Sequence, residues 1–593
     1  MTSKTISFQA NDWLTNAALV GLTNVLGKDH YQIDEDNDQI VVPVEELKDN
    51  FAQKYFDYLT SHYGKYSKYF TDIVNKREIF QQWIDKNYDP EIVTPAQIKE
   101  YDTWLREKFD IFITSHPTIL KALPECQDQD IQNLKQKIAQ IKREGKKLHK
   151  SASQKEAFYE KDIDGGIKLL KQVLPQVVEL LNLMAKPENS KPILQHYLPY
   201  TIIKNFWQNI SFFNTSSSTG DLVKDYDYTF VQPLLEYLKA PNKYQGTNVC
   251  ANCGREIKEK IKINGPKNNA KLYDNSVWVN TLGYDLKRKT SNAYNMKPVD
   301  DGFCVVCRFL YSFGPFGFNY NIINQGLFIN DNSSINHLIL QNAQVQKIMA
   351  NAYENKNEKI SPQHLLVNTI HNQILNQQTN LLNNVQIVFY NQEHYETHII
   401  SHLSDQIFGQ LLKDPEDNYF TPLNNTWIDN YGYIDDLIIE HILNRQDLTP
   451  LLLKILRMHA SDYKDLHLAR NYAQKQLETL VLINNIMLSF YTKGDETMPM
   501  PTSEQLKNAK KKGYGMFKYY QENENAKKAN TLAYHLLTAL KNKDYNAFTA
   551  TIIKVYASRY TPVPAFFVSS LSNKTAFEQY ALAYIAGLIQ KNN

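Results

Sequence analysis

The stretch "NVCANCGRE", residues 248–256, places two cysteines three positions apart and a glycine directly after them. The stretch "GFCVVCR", residues 302–308, repeats this spacing, and only one of the five cysteines lies elsewhere. Two C-x2-C pairs can turn four thiolates toward one ion, which is the closed tetrahedral arrangement of structural zinc sites. The predicted ligands of this structural Zn²⁺ are Cys250, Cys253, Cys304 and Cys307.

The competing interpretation of each pair is a redox dithiol of the thioredoxin type, which follows a strand and opens a helix in a βαβ unit. Neither pair lies in a convincing pattern of that kind. A closed four-cysteine site instead joins the two ends of a fifty-residue stretch that has little hydrophobic core of its own. We therefore expect a zinc-finger insert at 247–310, with Gly254 in the left-handed conformation that such a turn often needs. Cys126 is expected to be buried outside this insert.

Length and composition predict a large soluble protein. At 593 residues the chain has room for roughly two to four domains. A hydrophobic share of 42%, a charged share of 22% and a net charge of +2 are typical of globular chains. The sequence has no run of about 18 apolar residues, and its first residues lack the pattern of a signal peptide. These features predict a cytoplasmic protein without a membrane partner.

Hydrophobic periodicity predicts mainly helical structure. Residues 11–26, "NDWLTNAALVGLTNVL", repeat apolar positions at helical spacing behind a polar start, and amphipathic runs follow one another through the last 160 residues. Between about 186 and 320 the periodicity weakens and polar loops become frequent. The predicted fold class is α+β, predominantly helical. It comprises a large irregular N-terminal body at 1–430, which carries the four-cysteine insert, and an all-α helical bundle at 431–593.

Positive charge is concentrated in two segments although the chain is close to neutral. Residues 131–155 contain eight Lys or Arg against one acidic residue, and residues 502–559 contain eleven against four. A solvated helix face explains most such runs, but this clustering in a near-neutral chain also fits contacts with phosphates. Acidic residues gather at 401–448, which we expect to face a protein or solvent.

Signatures of catalysis are thin. The chain has no GxxxxGK[ST] phosphate-binding loop, no HExxH motif and no GxSxG elbow. His394 and His398 in "HYETH" could bind a metal if they lay on a helix, but an isolated pair of this kind is more often coincidental. Solvated turns explain the grouped carboxylates at 34–38 and 162–166. We therefore expect that the protein is not an enzyme.

The order of several motifs resembles a known family. "NDWLTNAALVG", the two C-x2-C pairs, "FGPFGF" and "GLFINDNSSINHLI" follow one another as in the CXXC-CXXC family of CRISPR-associated large subunits. This family belongs to Cascade, the RNA-guided interference complex of type I-B systems. The motifs span roughly residues 5–345, and the expected C-terminal helical bundle extends the resemblance to the rest of the chain.

The resemblance implies a non-catalytic subunit of an antiviral defence complex. Such a subunit recognises the protospacer-adjacent motif, a short DNA sequence beside the target, helps to open the duplex and stabilise the R-loop, and recruits a separate helicase-nuclease. Its other partners would be the guide CRISPR RNA, the backbone, guide-processing and small subunits of Cascade, double-stranded target DNA and the displaced strand. The guide would read the target by base pairing, and the protein would read the flanking motif and backbone shape. An internal start at Met458 or Met487 could also release a separate small subunit.

Two kinds of residue fit this role. Polar loops at 214–219 and 287–292 could reach the edge of a groove, where Arg288 or Asn292 would contact bases, and the basic runs could follow phosphates. The predicted nucleic-acid-binding residues are Asn214, Ser216, Lys287, Arg288, Lys289, Asn292, Lys146, Lys147, Lys510, Lys511 and Lys512.

Two other functions compete with this one. The first is a zinc-stapled RNA-binding or scaffolding protein unrelated to interference, which would bind RNA without preferring any duplex motif. The second is a metal-dependent nuclease built on the carboxylates at 162–164, which would cleave nucleic acid when Mg²⁺ or Mn²⁺ is added.

Overall fold

The structure is a computed structural model, and it divides into two compact units. Unit 1 comprises Met1–Ala343 and Val388–Glu396, and unit 2 comprises Gln344–Ile387 and Thr397–Asn593. The residues that the structure describes are 5–67, 69–85, 100, 104, 174–175, 177–179, 181–207, 220–263, 269–274, 302–320, 325–354, 361–375, 385–391, 394–413, 419–423, 426–461, 466–467, 473–492, 499–523 and 526–589.

Helices account for most of the regular structure, as the sequence predicted. The α-helices are α1 Trp13–Leu26, α2 Phe51–Tyr63, α3 Lys76–Asp85, α4 Pro187–Leu198, α5 Lys204–Phe206, α6 Leu222–Tyr226, α7 Gln232–Lys239, α8 Val305–Tyr311, α9 Gly314–Gly317, α10 Ile335–Glu354, α11 Pro362–Leu375, α12 His402–Leu411, α13 Ile434–Leu443, α14 Thr449–Ala460, α15 Ala473–Tyr491, α16 Ser503–Asn523, α17 Ala526–Lys541, α18 Tyr545–Ala557, α19 Ala565–Ser569 and α20 Lys574–Leu588.

The strands are short and form several small sheets. They are β1 Thr5–Gln9, β2 Gln32–Asp34, β3 Gln39–Pro43, β4 Asn248–Val249, β5 Glu256–Ile257, β6 Lys260–Lys262, β7 Asn269–Lys271, β8 Tyr273–Asp274, β9 Phe303–Cys304, β10 Asn319–Tyr320, β11 Gly326–Asp331, β12 Val385–Asn391, β13 His394–Ile399, β14 Trp427–Ile428, β15 Gly432–Tyr433 and β16 Leu466–His467. Sheet orders are β1-β3-β2, β10-β11-β12-β13 and β15-β14-β16, and β4-β5, β6-β7 and β8-β9 pair as two-stranded ribbons.

The first helix forms where the sequence predicted it. Asp12 is the N-cap of α1, because its carboxylate accepts a hydrogen bond of 2.8 Å from the backbone N–H of Thr15. Before α1, strand β1 alternates between buried and exposed residues, so that Ile6 and Phe8 lie in the core while Ser7 and Gln9 face outward. The outer face of β1 is therefore polar.

Helix α1 approaches α9 so closely that the crossing requires glycine. A Cβ added to Gly21 would lie 2.1 Å from the carbonyl oxygen of Phe313, and one added to Gly317 would lie 2.1 Å from that of Ala17. Phe313 itself packs edge-on against Phe51 of α2. Gly21 of α1 and Gly317 of "FGPFGF" therefore let α1 pack against the backbone of α9.

Buried tyrosines extend this core. Tyr55 and Tyr226 stack with ring centroids 4.1 Å apart, and both are fully buried. The Tyr55 hydroxyl donates to the Ser312 carbonyl oxygen at 2.9 Å, and the Tyr226 hydroxyl lies 2.8 Å from the Ser312 hydroxyl. The rings contribute apolar area, and their hydroxyls keep hydrogen-bond partners inside the protein.

The division into units and the all-α character of the C-terminal region differ from the sequence prediction. Residues 344–387 and 397–430 were assigned to the N-terminal body, but they group with the C-terminal helices in unit 2. The region 431–593 is mainly helical but not all-α, because β15 and β16 both pair with β14. Strands of two residues are too short to produce a readable alternation, so hydrophobic periodicity cannot predict them.

Unit 2 contains the predicted internal start positions. Met458 lies near the end of α14, and Met487 is buried within α15. No helix among the described residues combines the length and the apolar character needed to span a bilayer.

Candidate metal centre and nucleic-acid interface

The first cysteine pair lies in a tight turn between β4 and β5. The Cys250 N–H donates to the Arg255 carbonyl at 3.0 Å, and the Gly254 N–H donates to the Cys250 carbonyl at 2.9 Å. Gly254 has φ +67°, in the left-handed region that favours glycine, as the sequence predicted. The turn therefore holds Cys250 and Cys253 on one side of the ribbon.

The second pair lies where a strand meets a helix. Cys304 ends β9 and is the N-cap residue of α8, and Cys307 follows in the first turn of that helix. Residues three apart on a helix share a face, so the second thiol points the same way as the first. A backbone hydrogen bond of 2.9 Å from the Ala251 N–H to the Gly302 carbonyl joins this hook to the first one.

The four sulfur atoms meet in one cluster. All four Sγ atoms lie within 4.8 Å of one another, and the Cys253 and Cys304 sulfurs are 3.6 Å apart. A tetrahedral ion with S ligands at about 2.3 Å needs sulfurs separated by about 3.8 Å. Cys250, Cys304 and Cys307 are buried, whereas Cys253 is exposed. The four cysteines could therefore hold one metal ion, and the prediction that they converge is confirmed.

The electrostatics of the cluster fit a cation. Hydrogen bonds from Cys253, Cys304 and Cys307 hold the pKa of the Cys250 thiol far below its usual value. The same sharing of protons with Cys250 raises the pKa of Cys304 and of Cys307. Hydrogen bonding to Cys250 raises the pKa of Cys253, but the thiols of Cys304 and Cys307 bring it down to about 7. Three S–H groups thus stabilise one thiolate, and a divalent cation would stabilise all four.

Three N–H groups surround the sulfurs. The Arg255 Nη1 donates to the Cys304 sulfur at 3.2 Å, and the Asn252 Nδ2 donates to the Cys307 sulfur at 3.5 Å. The Cys304 backbone N–H donates to the Cys250 sulfur at 3.2 Å. Such contacts orient the ligands of a metal and tune its charge. Sequence reasoning did not select Asn252 or Arg255, although their positions beside Cys253 were a usable signal.

The redox alternative lacks its structural setting. The four clustered cysteines are free thiols. Strand β9 precedes α8, but it pairs antiparallel with β8 and is only two residues long. This is not the βαβ setting of a thioredoxin dithiol.

Helix α16 presents the predicted basic cluster in unit 2. Lys511 and Lys512 are exposed, and no ion pair to a described carboxylate involves either of them. Lys510 differs, because its ammonium bonds to Glu478 at 2.5 Å and to the Gln474 carbonyl at 3.0 Å. Two of the three predicted lysines therefore face solvent, while Lys510 is half-buried with an acidic partner.

A cleft of about 1130 Å³ lies beside these lysines. Lys511, Lys512 and Arg559 supply its positive charge, and none of the described residues that line it is acidic. Phe566 and Tyr580 stack with ring centroids 5.1 Å apart along its wall. Proteins hold single-stranded nucleic acid by combining positive charge with aromatic rings. In this cleft Phe566 is half-buried and Tyr580 is buried, so the lysines provide most of the accessible surface. We call this cleft, with the exposed face of α16, the α16 surface.

The remaining residues that the sequence analysis singled out either lie in other settings than expected or fall outside the described part of the chain. His394 and His398 lie on strand β13, not on a helix, and His394 bonds to Glu396 at 2.6 Å. Asp34 accepts from the Asn37 side chain at 2.9 Å, as expected for a turn. The following predicted residues lie outside the part of the chain that the structure describes: Asn214, Ser216, Lys287, Arg288, Lys289, Asn292, Lys146, Lys147 and Cys126. The carboxylates at 162–164 lie outside it as well.

Comparison with known proteins adds no relative. No family model, no curated protein and no solved structure matches the chain.

Proposed function

We propose that this protein is a zinc-stapled, non-catalytic DNA-binding subunit of an RNA-guided targeting complex. In this role it reads the short motif beside the target, helps to open the duplex and recruits a helicase-nuclease. Zn²⁺ is the ion best suited to the four-cysteine cluster, because four thiolates in a closed tetrahedron leave no open coordination position. The ion then stabilises the fold of the insert and takes no part in a reaction.

One observation carries the proposal. The motifs that resemble the large-subunit family, which are scattered over more than three hundred residues, touch one another in unit 1. Asn11 donates to the Asn252 side chain at 3.2 Å, and Asn16 donates to the Asn330 side chain at 2.8 Å. Gly317 of "FGPFGF" lies so close to α1 that an added Cβ would be 2.1 Å from the Ala17 carbonyl oxygen. A shared order of motifs has a physical reason when the motifs build one structure together.

The α16 surface supports the second half of the role. A complex that opens a duplex must hold a displaced strand, and the charge and aromatic rings of this surface suit a flexible single strand. The acidic segment at 401–448 offers no such surface, because its carboxylates would repel phosphates.

The experiment that tests the function uses the chain assembled with its guide-loaded partner subunits. Its affinity is measured for target duplexes that differ only in the flanking motif. The proposal expects strong dependence on that motif and no cleavage by the assembly without the helicase-nuclease. If the protein binds RNA and the assembly binds every duplex with equal affinity, the RNA-binding or scaffolding alternative is favoured. If the assembly cleaves DNA after addition of Mg²⁺, the nuclease alternative is favoured.

Removing charge from the α16 surface is expected to weaken binding of single-stranded DNA. Each phosphate contact contributes about 0.7 to the slope of log affinity against log salt concentration. The double variant Lys511→Gln and Lys512→Gln should therefore lower this slope by about 1.4, as measured by fluorescence anisotropy over a salt series. Lys554→Gln removes an exposed charge from α18 outside the cleft and serves as the control. Equal slopes in the double variant and the control would exclude the α16 surface.

Loss of the Arg255 guanidinium is expected to speed the release of zinc. Four thiolates and Zn²⁺ carry a net charge of about −2, and Arg255 donates a charge-assisted hydrogen bond to one of the sulfurs. Such bonds contribute about 1.5–3 kcal/mol, so Arg255→Gln should accelerate transfer to a chelator about tenfold to a hundredfold. Arg255→Lys keeps the charge, so its rate of zinc release should lie between those of the original protein and Arg255→Gln. Lys262→Gln on β6 should release zinc at the rate of the original protein. Identical release from all four proteins would contradict this role.

A further inference from the structure

A polar cleft of about 450 Å³ lies beside the cysteine cluster in unit 1. One wall is the outer face of the N-terminal sheet, with Ser7, Gln9 and Gln39. The opposite wall is the first cysteine turn, with Asn252 and Arg255, and α8 forms the floor. A volume of this size is in the range of pockets that hold a nucleotide-sized ligand.

Carboxamides dominate the cleft. Gln9 and Gln39 are direct partners across the antiparallel strands β1 and β3, so their side chains lie next to each other on one face. The Gln39 side-chain N–H donates to the Asp34 carboxylate at 3.1 Å, and this bond does not use the side-chain carbonyl oxygen of Gln39. Asn11 bridges the two walls through its 3.2 Å hydrogen bond to Asn252. Asn252 also donates to the Cys307 sulfur, so these bonds fix its orientation. Each carboxamide still has a second N–H and a second lone pair, so the cleft presents groups that can donate to and accept from an occupant.

The charge of the cleft selects among occupants. Among the described residues that line it, Arg255 supplies a positive charge, Cys253 and Cys307 belong to the cysteine cluster, and none is Asp or Glu. Glutamine and asparagine amides pair with the edge of a base through two hydrogen bonds, and arginine does the same with guanine. Cys253 and Cys307 also line the cleft and belong to a cluster that would carry a net charge of about −2 with Zn²⁺, so the neutral edge of a base fits this lining better than an anionic phosphate does.

The exposed edge of β1 adds a second property. The sheet order β1-β3-β2 leaves β1 at the edge, and the cleft lies along this strand. An extended peptide could add to such an edge through backbone bonds. Side-chain amides aimed across the cleft are not needed for that mode, whereas the reading of a base edge requires them.

We infer that this cleft takes a nucleobase of the bound DNA and reads its hydrogen-bonding edge with Gln9, Gln39 and Asn252. The inference rests on the proposed function and assigns to it a motif-reading site on the zinc-stapled turn. Zinc contributes indirectly, because it fixes the wall that carries Asn252 and Arg255. The insert then orients a recognition surface as well as closing a loop.

The test uses the assembled, guide-loaded complex carrying Gln9→Ala and Gln39→Ala together. Neither side chain is one of the four predicted zinc ligands, Gln9 is exposed and Gln39 is half-buried, so the fold and the zinc site should be preserved. Zinc content, measured on the same sample, verifies this. The matched control is Gln32→Ala, which removes an exposed carboxamide from β2 of the same sheet outside the cleft. Affinity is measured for a panel of duplexes with every flanking motif.

The expected result is that the double variant loses about tenfold to a hundredfold of the preference for the best motif over the worst, while its affinity for the worst motif stays unchanged. Full motif preference in the double variant would overturn the inference and leave the proposed function standing. Absence of motif preference in the original complex would overturn the proposed function and the inference together. Failure of the double variant to join its partner subunits would identify the cleft as a protein-docking site and overturn the nucleobase inference.

Discussion

Replacing Cys304 with serine is expected to abolish zinc binding and to unfold the insert. Cys304 is fully buried, its sulfur lies 3.6 Å from that of Cys253, and its backbone begins α8. Structural zinc contributes on the order of 10–16 kcal/mol to the folding of small zinc modules, which exceeds what the two-residue strands β4, β5, β8 and β9 can supply. Zinc content should fall from one ion per chain to almost none, and limited proteolysis should begin to cut within 247–310.

The remaining cysteine provides the control for this experiment. Cys126→Ser removes a thiol that the spacing excludes from the cluster, and this variant should keep one zinc ion and resist protease as before. Treatment of the original protein with a strong chelator should reproduce the proteolysis pattern of Cys304→Ser, and added Zn²⁺ should reverse it. Full zinc content in Cys304→Ser would show that the ion binds elsewhere in the protein.

Substituting Gly513 with alanine is expected to cause the largest loss of stability in unit 2. Helix α16 crosses α20 at this residue, and an added Cβ would lie 2.0 Å from the carbonyl oxygen of Tyr584. The contact is reciprocal, because a Cβ on Gly587 would lie 2.0 Å from the carbonyl oxygen of Lys510. The Tyr584 carbonyl belongs to the backbone and cannot rotate away from an added Cβ as a side chain could. The two helices must therefore separate, which exposes buried residues such as Met516 and Leu588.

The free energy of unfolding should fall by about 3 kcal/mol, at the upper end of the usual range for overpacking. Calorimetry of the full chain would detect this as a lower melting temperature for the transition of unit 2. Gly515→Ala is the matched control on the same helix, because an added Cβ there meets nothing within 4 Å. Alanine is the better helix former, so this control should gain up to about 1 kcal/mol. Equal melting temperatures for the two variants would refute the crossing.

These two glycines show the limit of sequence reasoning. Gly513 and Gly515 lie two residues apart in "KKKGYGM", and nothing in their immediate neighbours distinguishes them. Only the position of α20, more than fifty residues later, makes one of them essential. The same holds for the lysines before them, since Lys510 turns toward Glu478 of α15 while Lys511 and Lys512 turn to solvent.

Local sequence patterns predict the features that depend on neighbours along the chain. The spacing within each cysteine hook, the polar start and apolar period of α1, and the left-handed Gly254 follow from backbone geometry over a few residues. Tertiary structure decided which side chains from distant segments face each other. The pairing of Gln9 with Gln39, their place beside Asn252 in one cleft and the bond from Arg255 to Cys304 depend on strand register and on contacts between segments that are distant in the chain. No local pattern encodes such contacts, because their energy arises only when the segments meet.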